Sequence, residues 1–292
     1  MIRPLALVVA FASLSTAACA GSSSPAATGD GTDDVISGGH LKAVQACNKT
    51  HDKAAQSASS TLEMVSSEVD WRQCLETANA SAIRTAESIL KANESTYAGQ
   101  VQAAFDAARK AGDALCAEFD NASPNFGGTL SRVEAAGCGA ERESFLAAIV
   151  DDMVAFPSTK ATYITEDRAN HATCYAAYDA AGEKAVTTAD MVATNTTLAE
   201  CIHTESSALT KPIADIQIEN DASYGPLATA QARIEAVITD TLASGSSLCH
   251  VLSEAGENGI GTLSRVSAGA CSARVSENLF TSLKSTATPE QN

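Results

Sequence analysis

Cysteine is the residue of this chain best placed to do chemistry, and its nine copies are regularly spaced. Cys47 and Cys74 lie 27 apart, as do Cys174 and Cys201, while Cys116 and Cys138 lie 22 apart, as do Cys249 and Cys271. Such a set could ligate a metal, supply a nucleophile or form disulfides. The metal reading draws on His171, His203 and His250, which sit beside Cys174, Cys201 and Cys249. Against it, zinc-type CxxC spacing is missing and the first four cysteines have no matching histidines. A nucleophile must be a thiolate, which a sulfur held in a disulfide is not. Eight cysteines in two sets of four, with Cys19 left over, fit the bridges of an exported protein. The histidines then read as polar neighbours of those bridges, and no metal or cofactor is expected.

The remaining residues offer no catalytic constellation. Nucleophile-elbow, zincin, P-loop and dinucleotide-binding motifs are absent from the sequence. Asp151-Asp152 and the Glu141/Glu143 pair could in principle serve as acid and base, but proximity in sequence does not place two carboxylates across a substrate. They read better as solvated helix faces. The expectation is a protein that is not an enzyme.

The elements that carry the cysteines repeat. At an offset of 127, Asp52 matches Asp179, Met64-Val65 matches Met191-Val192, and Asn93 and Tyr97 match Asn220 and Tyr224. At an offset of 133 the hexapeptide Gly128-Thr129-Leu130-Ser131-Arg132-Val133 recurs unchanged as residues 261–266. The pattern is a tandem duplication with one short insertion. Alanine dominates the apolar residues and aromatics are only 4 %, which favours helices over sheets.

The fold class expected is all-α, with two tandem four-helix, disulfide-stapled bundles. In the first copy a helix runs from about His40 to Ala58, and Ser60 with Glu63 forms a capping box that opens the second; Thr187 and Asp190 are the counterparts. The third helix carries an apolar stripe of Val101, Phe105, Ala108, Gly112, Leu115 and Phe119. Gly127-Gly128 ends it, and a fourth begins near Thr129 with Leu130, Val133, Ala140 and Ile149 inward. Pro212 should interrupt the second helix of the second copy. The midpoints of the cysteine pairs fall on the proposed turns, and residues equidistant from the turn of a helical hairpin face each other. The bridges expected are therefore Cys47–Cys74, Cys116–Cys138, Cys174–Cys201 and Cys249–Cys271.

Residues 1–19 read as a signal sequence, with Arg3 ahead of a short apolar run and small residues leading to Cys19. The run is shorter than the roughly 20 residues of a membrane span. Its end resembles the lipobox of bacterial lipoproteins, which implies lipidation of Cys19 and a lipid anchor in the cell envelope, at the outer membrane or periplasmic face; without lipidation the chain is simply secreted. Residues 20–38, rich in Gly, Ser, Thr and Asp, read as a flexible tether. Copy one then spans residues 39–160 and copy two residues 161–292.

Each copy also resembles the LprI-type lysozyme-inhibitor domain of bacterial lipoproteins. The resemblance rests on Cys74, Asp113-Ala114-Leu115-Cys116, Gly127-Gly128, Cys138, Arg142 and Leu146, and on Cys201, Cys249, Gly261, Cys271, Arg274 and Leu279. The family's Trp and Arg before the closing cysteine are replaced by Ala108 and Gly112, and by Thr241 and Gly245, so its contact residues do not carry over. The resemblance implies a helical, non-catalytic module that binds a basic cell-wall hydrolase such as lysozyme.

The charge agrees with that partner. The chain carries a formal charge of −16, which disfavours nucleic acid and anionic membrane surfaces as partners. It favours encounter with a basic protein, and copy two is more acidic than copy one. Asn93, Tyr97, Asn220 and Tyr224, at equivalent helix turns, are the candidate partner contacts, although Asn at such a turn also serves as a helix stop. The alternative expectation is a structural or interaction lipoprotein of the bacterial envelope with another partner.

Overall fold

The computed structural model describes residues 34–155, 168–256, 259 and 261–288, and among them there are helices and no strands. The signal sequence, Cys19 and the tether up to residue 33 lie outside the described residues. None of the described helices is long and apolar enough to cross a membrane.

In the first half, α1 (Asp34–Ser57), α2 (Thr61–Ala92), α3 (Val101–Asn121) and α4 (Thr129–Val150) follow one another, and α4 runs on into a π-helical turn, Asp151–Ala155. The second half has α5 (Ala172–Gly182), α6 (Thr188–Ser207), α7 (Thr210–Asn220), a 3-10 turn at Ala222–Tyr224, α8 (Leu227–Ser253) and α9 (Thr262–Ala287). Both capping boxes form. The Ser60 hydroxyl accepts from the Glu63 amide while Glu63 accepts from the Ser60 amide, and Thr187 and Asp190 do the same. Pro212 lies in the first turn of α7, where its missing N–H costs nothing, and the second helix of this half is split just before it into α6 and α7. Helix α2 ends in a Schellman motif, with the Ser95 amide on the Leu90 carbonyl and Glu94 in the left-handed region at φ 54°.

The four bridges pair Cys47 with Cys74, Cys116 with Cys138, Cys174 with Cys201 and Cys249 with Cys271, each with a Cα–Cα distance of 5.7 Å. Each spans one helical hairpin. These are the pairs that the midpoint geometry selects.

The stripe on α3 is buried at Val101, Phe105, Ala108, Gly112 and Leu115, with Phe119 half-buried. What covers it is unexpected in part: α3 packs on α8 of the other half as well as on α4. One core cluster joins Leu90, Phe105, Leu146 and Ile149 to Leu248, Leu252 and Val275. A second joins Leu115 to Ile213, Ile234, Ile238 and Leu279. The early part of α3 thus meets the late part of α8, and the reverse, so the two helices run antiparallel. The described residues of both halves form one compact unit. Smaller clusters belong to one half alone, around Val44, Leu75 and Ala147 and around Tyr175, Leu198, Ile202 and Phe280.

Two local expectations need correction. Helix α1 starts at Asp34, so residues 34–38 are helical and not part of a tether. Gly38 and Gly39 lie inside it at a cost of about 1 kcal/mol each in propensity, offset by the docking of His40 immediately after them. Leu130 is 45 % exposed where an inward position was expected. The first turn of α4 projects at the end of its hairpin, and there the buried residue is Ser131, whose hydroxyl donates to the Gly128 carbonyl.

Small residues mark the α3–α8 crossing. A cavity of about 30 Å³ lies there, lined by Ala108, Gly112, Leu146, Thr241, Gly245 and Val275 among others. A methyl group on Gly112 would sit 3.5 Å from the Arg142 stem, in ordinary contact, whereas one on Gly245 would come within 2.7 Å of a Val275 methyl. Valine is stiff at χ1 and cannot swing away cheaply. Gly112→Ala is therefore expected to stabilise the protein by about 1 kcal/mol, since it fills space and removes a helical glycine. Gly245→Ala is expected to destabilise it by about 1 kcal/mol or more. Denaturant melts of the two variants measure the difference.

Candidate functional site

The four candidate contact residues occupy unlike settings. Asn93 is the C-cap of α2 and is exposed. Tyr97 is half-buried against the shared core, with its amide donating to the Ser95 hydroxyl at 3.0 Å. Asn220, at the end of α7, donates to the Asn121 and Ser123 carbonyls of the other half at 3.0 and 2.9 Å. Tyr224 packs edge-on against Phe126, and the Arg233 guanidinium lies 4.9 Å from its ring centre. The structure does not bring the four together. Asn220 and Tyr224 hold the halves to each other, which leaves Asn93 as the open member of the set.

Around Asn220 is a polar seam between the halves. Glu118 of α3, almost fully buried, accepts from Arg233 Nε of α8 at 2.9 Å and from Gln217 Nε2 of α7 at 2.8 Å, while Arg233 Nη2 donates to Gln217 Oε1 at 2.7 Å. Every partner in that ring is satisfied. Arg142 of α4 reaches across to α9, donating to Asn278 at 2.7 Å and to the Ser282 hydroxyl. Ser95 donates to Glu254 at 2.6 Å, and Asp152 pairs with Arg274.

The acidic pairs read as solvated faces are not so. Glu143 is 1 % exposed and takes a two-pronged bond from Arg109, Nη2 to Oε1 at 2.6 Å and Nε to Oε2 at 2.7 Å. Asp151 is buried against His40, Nδ1 to Oδ1 at 2.5 Å. Asn79 joins the two pairs, since its Nδ2 donates to Glu143 at 2.7 Å and its Oδ1 faces His40 Nε2 at 2.9 Å. Only Glu141 of the four acids is exposed. Buried carboxylates persist because each has a cation or amide donor within reach. This relay joins α1, α2, α3, α4 and the π turn, and its sequence signal was faint. Asn79 interrupts the stripe Leu75, Ala78, Ala82, Ile83, Ala86 and Leu90 of α2, and a polar residue in an apolar stripe needs a buried partner.

The cysteine–histidine neighbourhood of the second half resolves differently. His171 is fully buried, with Nδ1 2.5 Å from Glu205 and its ring edge-on to Phe280. Cys174, Cys201 and Glu205 lie close enough together to suggest a metal cluster. However, the two sulfurs are bonded to each other at 1.98 Å and the carboxylate already faces His171. A bonded sulfur is not a thiolate donor. His203 is half-buried and His250 exposed. Nearby, burial and the bond to Glu277 push the Tyr175 hydroxyl well above its ordinary pKa, despite the Arg168 guanidinium over its ring.

The surface carries exposed acids and exposed cations, with apolar ends. Asp52, Asp70, Glu183, Glu200, Glu235 and Asp240 are exposed and outside the ion pairs formed among the described residues. Leu62 and Leu130 are exposed at the turn end of the first half, where α2 and α4 begin. Val186, Met191 and Leu263 are exposed at the corresponding end of the second. Arg132 and Arg265, two residues beyond the repeated leucines, are exposed as well. Comparison with protein-family models, with curated proteins and with solved structures found no match.

The two equivalent asparagines separate structural from surface roles. Asn220→Ala is expected to cost about 1–3 kcal/mol, because it strands two carbonyls at the seam. Asn93→Ala is expected to change stability by less than about 0.5 kcal/mol. Thermal or denaturant melts of the two variants check the contrast.

Proposed function

We propose that the chain is an exported, disulfide-hardened binding module without catalytic activity, and that its acidic surface receives a basic protein of the cell-wall hydrolase type, such as lysozyme. The observation that carries this reading is the excess of acid over base. Asp and Glu total 35 against 19 Lys and Arg, a formal charge of −16, and the cations Arg72, Arg109, Arg233 and Arg274 are engaged in ion pairs within the fold. An acidic exterior on a rigid scaffold steers a basic partner and excludes acidic ones. The resemblance to LprI-type lysozyme-inhibitor domains supports the same partner. Four bridges suit an oxidising compartment, and a lipid on Cys19 would fix the module to the envelope.

A structural or interaction role in the envelope is the second reading, favoured by the repeated Leu130-Ser131-Arg132 and Leu263-Ser264-Arg265 ends. Ser131 and Ser264 are buried and bonded to the preceding turn, whereas Leu130, Leu263, Arg132 and Arg265 are exposed. Two like ends on one rigid body suit a connector.

A turbidity assay with purified mature protein and a basic lysozyme separates the readings. Inhibition is expected at low salt, with the association weakened about tenfold or more as ionic strength rises to roughly 0.3 M. Full lysozyme activity at a large excess of the protein at low salt would contradict the hydrolase-binding reading and leave the connector.

A further inference from the structure

We propose that His40 is a proton-operated latch that holds residues 34–46, the part of α1 ahead of the Cys47–Cys74 bridge, on the body of the protein. The donor logic of the buried relay requires it. Arg109 makes Glu143 a carboxylate, so Asn79 must turn its NH₂ toward Glu143 and its oxygen toward His40. His40 Nε2 must therefore donate to that oxygen, at 2.9 Å. Nδ1 faces the Asp151 carboxylate at 2.5 Å and must donate there too. An imidazole donates from both nitrogens only when it is protonated. The groups facing the ring are thus Asp151 from the π turn and Asn79 from α2, with Glu143 of α4 and Arg109 of α3 behind the amide. The relay alternates in sign and is neutral as a whole when His40 carries its proton.

Loss of that proton removes one donor from a site that has two acceptors. Asp151 or Asn79 is then left facing a lone pair, with both groups buried. Burial opposes the charge on His40, but the bond and attraction to Asp151 and the bond to Asn79 outweigh it, so its pKa stands above the ordinary 6.5. A group whose pKa is raised by folding contributes its stability fully below the unfolded value and loses it as pH climbs through the folded one. The latch is closed while His40 holds its proton and opens as the pH climbs through the raised pKa.

Release is confined by covalent chemistry. From Cys47 onward α1 is bridged to α2. Ahead of it, among the residues whose side chains are described (39–46), the buried side chains are His40 and Val44, with Leu41 and Ala43 half-buried beside them. Among these described side chains Val44 is the one buried apolar anchor, so the relay carries a large share of the hold on them.

Hydrogen exchange of the oxidised full-length mature chain, corrected for the intrinsic pH dependence of exchange, tests the latch. Between about pH 6 and about pH 9, a range that brackets a raised histidine pKa, amides of residues 34–46 are expected to lose protection at least tenfold. Those of α2, α3 and α8 are expected to keep theirs. The midpoint should coincide with the His40 ring titration followed by NMR. Asp151→Asn should leave the segment open at about pH 6, and His40→Gln should abolish the pH dependence. Unchanged protection of residues 34–46 while His40 titrates, or a loss spread evenly over α2 and α3, would overturn the proposal, and the wild-type titration decides even if a variant fails to fold.

Discussion

Alanine-rich helices bury little apolar area per residue, and a four-helix unit built from them has a thin core. Everything in this structure answers to that constraint. The hairpins are closed covalently, which limits the unfolded chain instead of strengthening the folded one. The two halves then share what core they have. Phe105 and Leu115 on α3, and Ile238 and Leu248 on α8, are fully buried in core clusters that draw residues from both halves. Ala108, Gly112 and Gly245 let the backbones come close at the crossing, and a small void remains where the match is imperfect.

Polar groups fix how the halves meet. Apolar contact between alanine-lined surfaces is permissive of register, whereas the Glu118–Gln217–Arg233 ring, the Asn220 bonds and the Asp152–Arg274 pair each require one arrangement. Removing one partner of such a ring strands the others, so the seam resists drift more than it adds net stability. The same arrangement draws Arg233 and Arg274 inward together with the carboxylates of Glu118 and Asp152.

Much of the architecture was legible in the sequence because it depends on local rules. Cysteine spacing about a turn, hydroxyl–carboxylate capping boxes and the proline at position 212 act over a few residues or one hairpin. The union of the halves was not legible, because the α3 stripe looks the same whether it faces its own bundle or another. Asp151 and Glu143 looked solvated for a similar reason, since His40 and Asn79 lie 111 and 64 residues away from them. Of the candidate contacts, Asn220 and Tyr224 match Asn93 and Tyr97 as a repeat, but the Asn121 and Ser123 carbonyls and the Phe126 ring that they meet belong to the opposite half. Leu130 misled because an apolar residue in the first turn of a helix can overhang the bundle end.

The most direct test of the shared core is calorimetry of the oxidised protein. If the two halves are one cooperative body, heating gives a single transition whose calorimetric enthalpy equals the van't Hoff enthalpy. Two resolved transitions, or a calorimetric enthalpy about twice the van't Hoff value, would show two independent bundles and contradict the account.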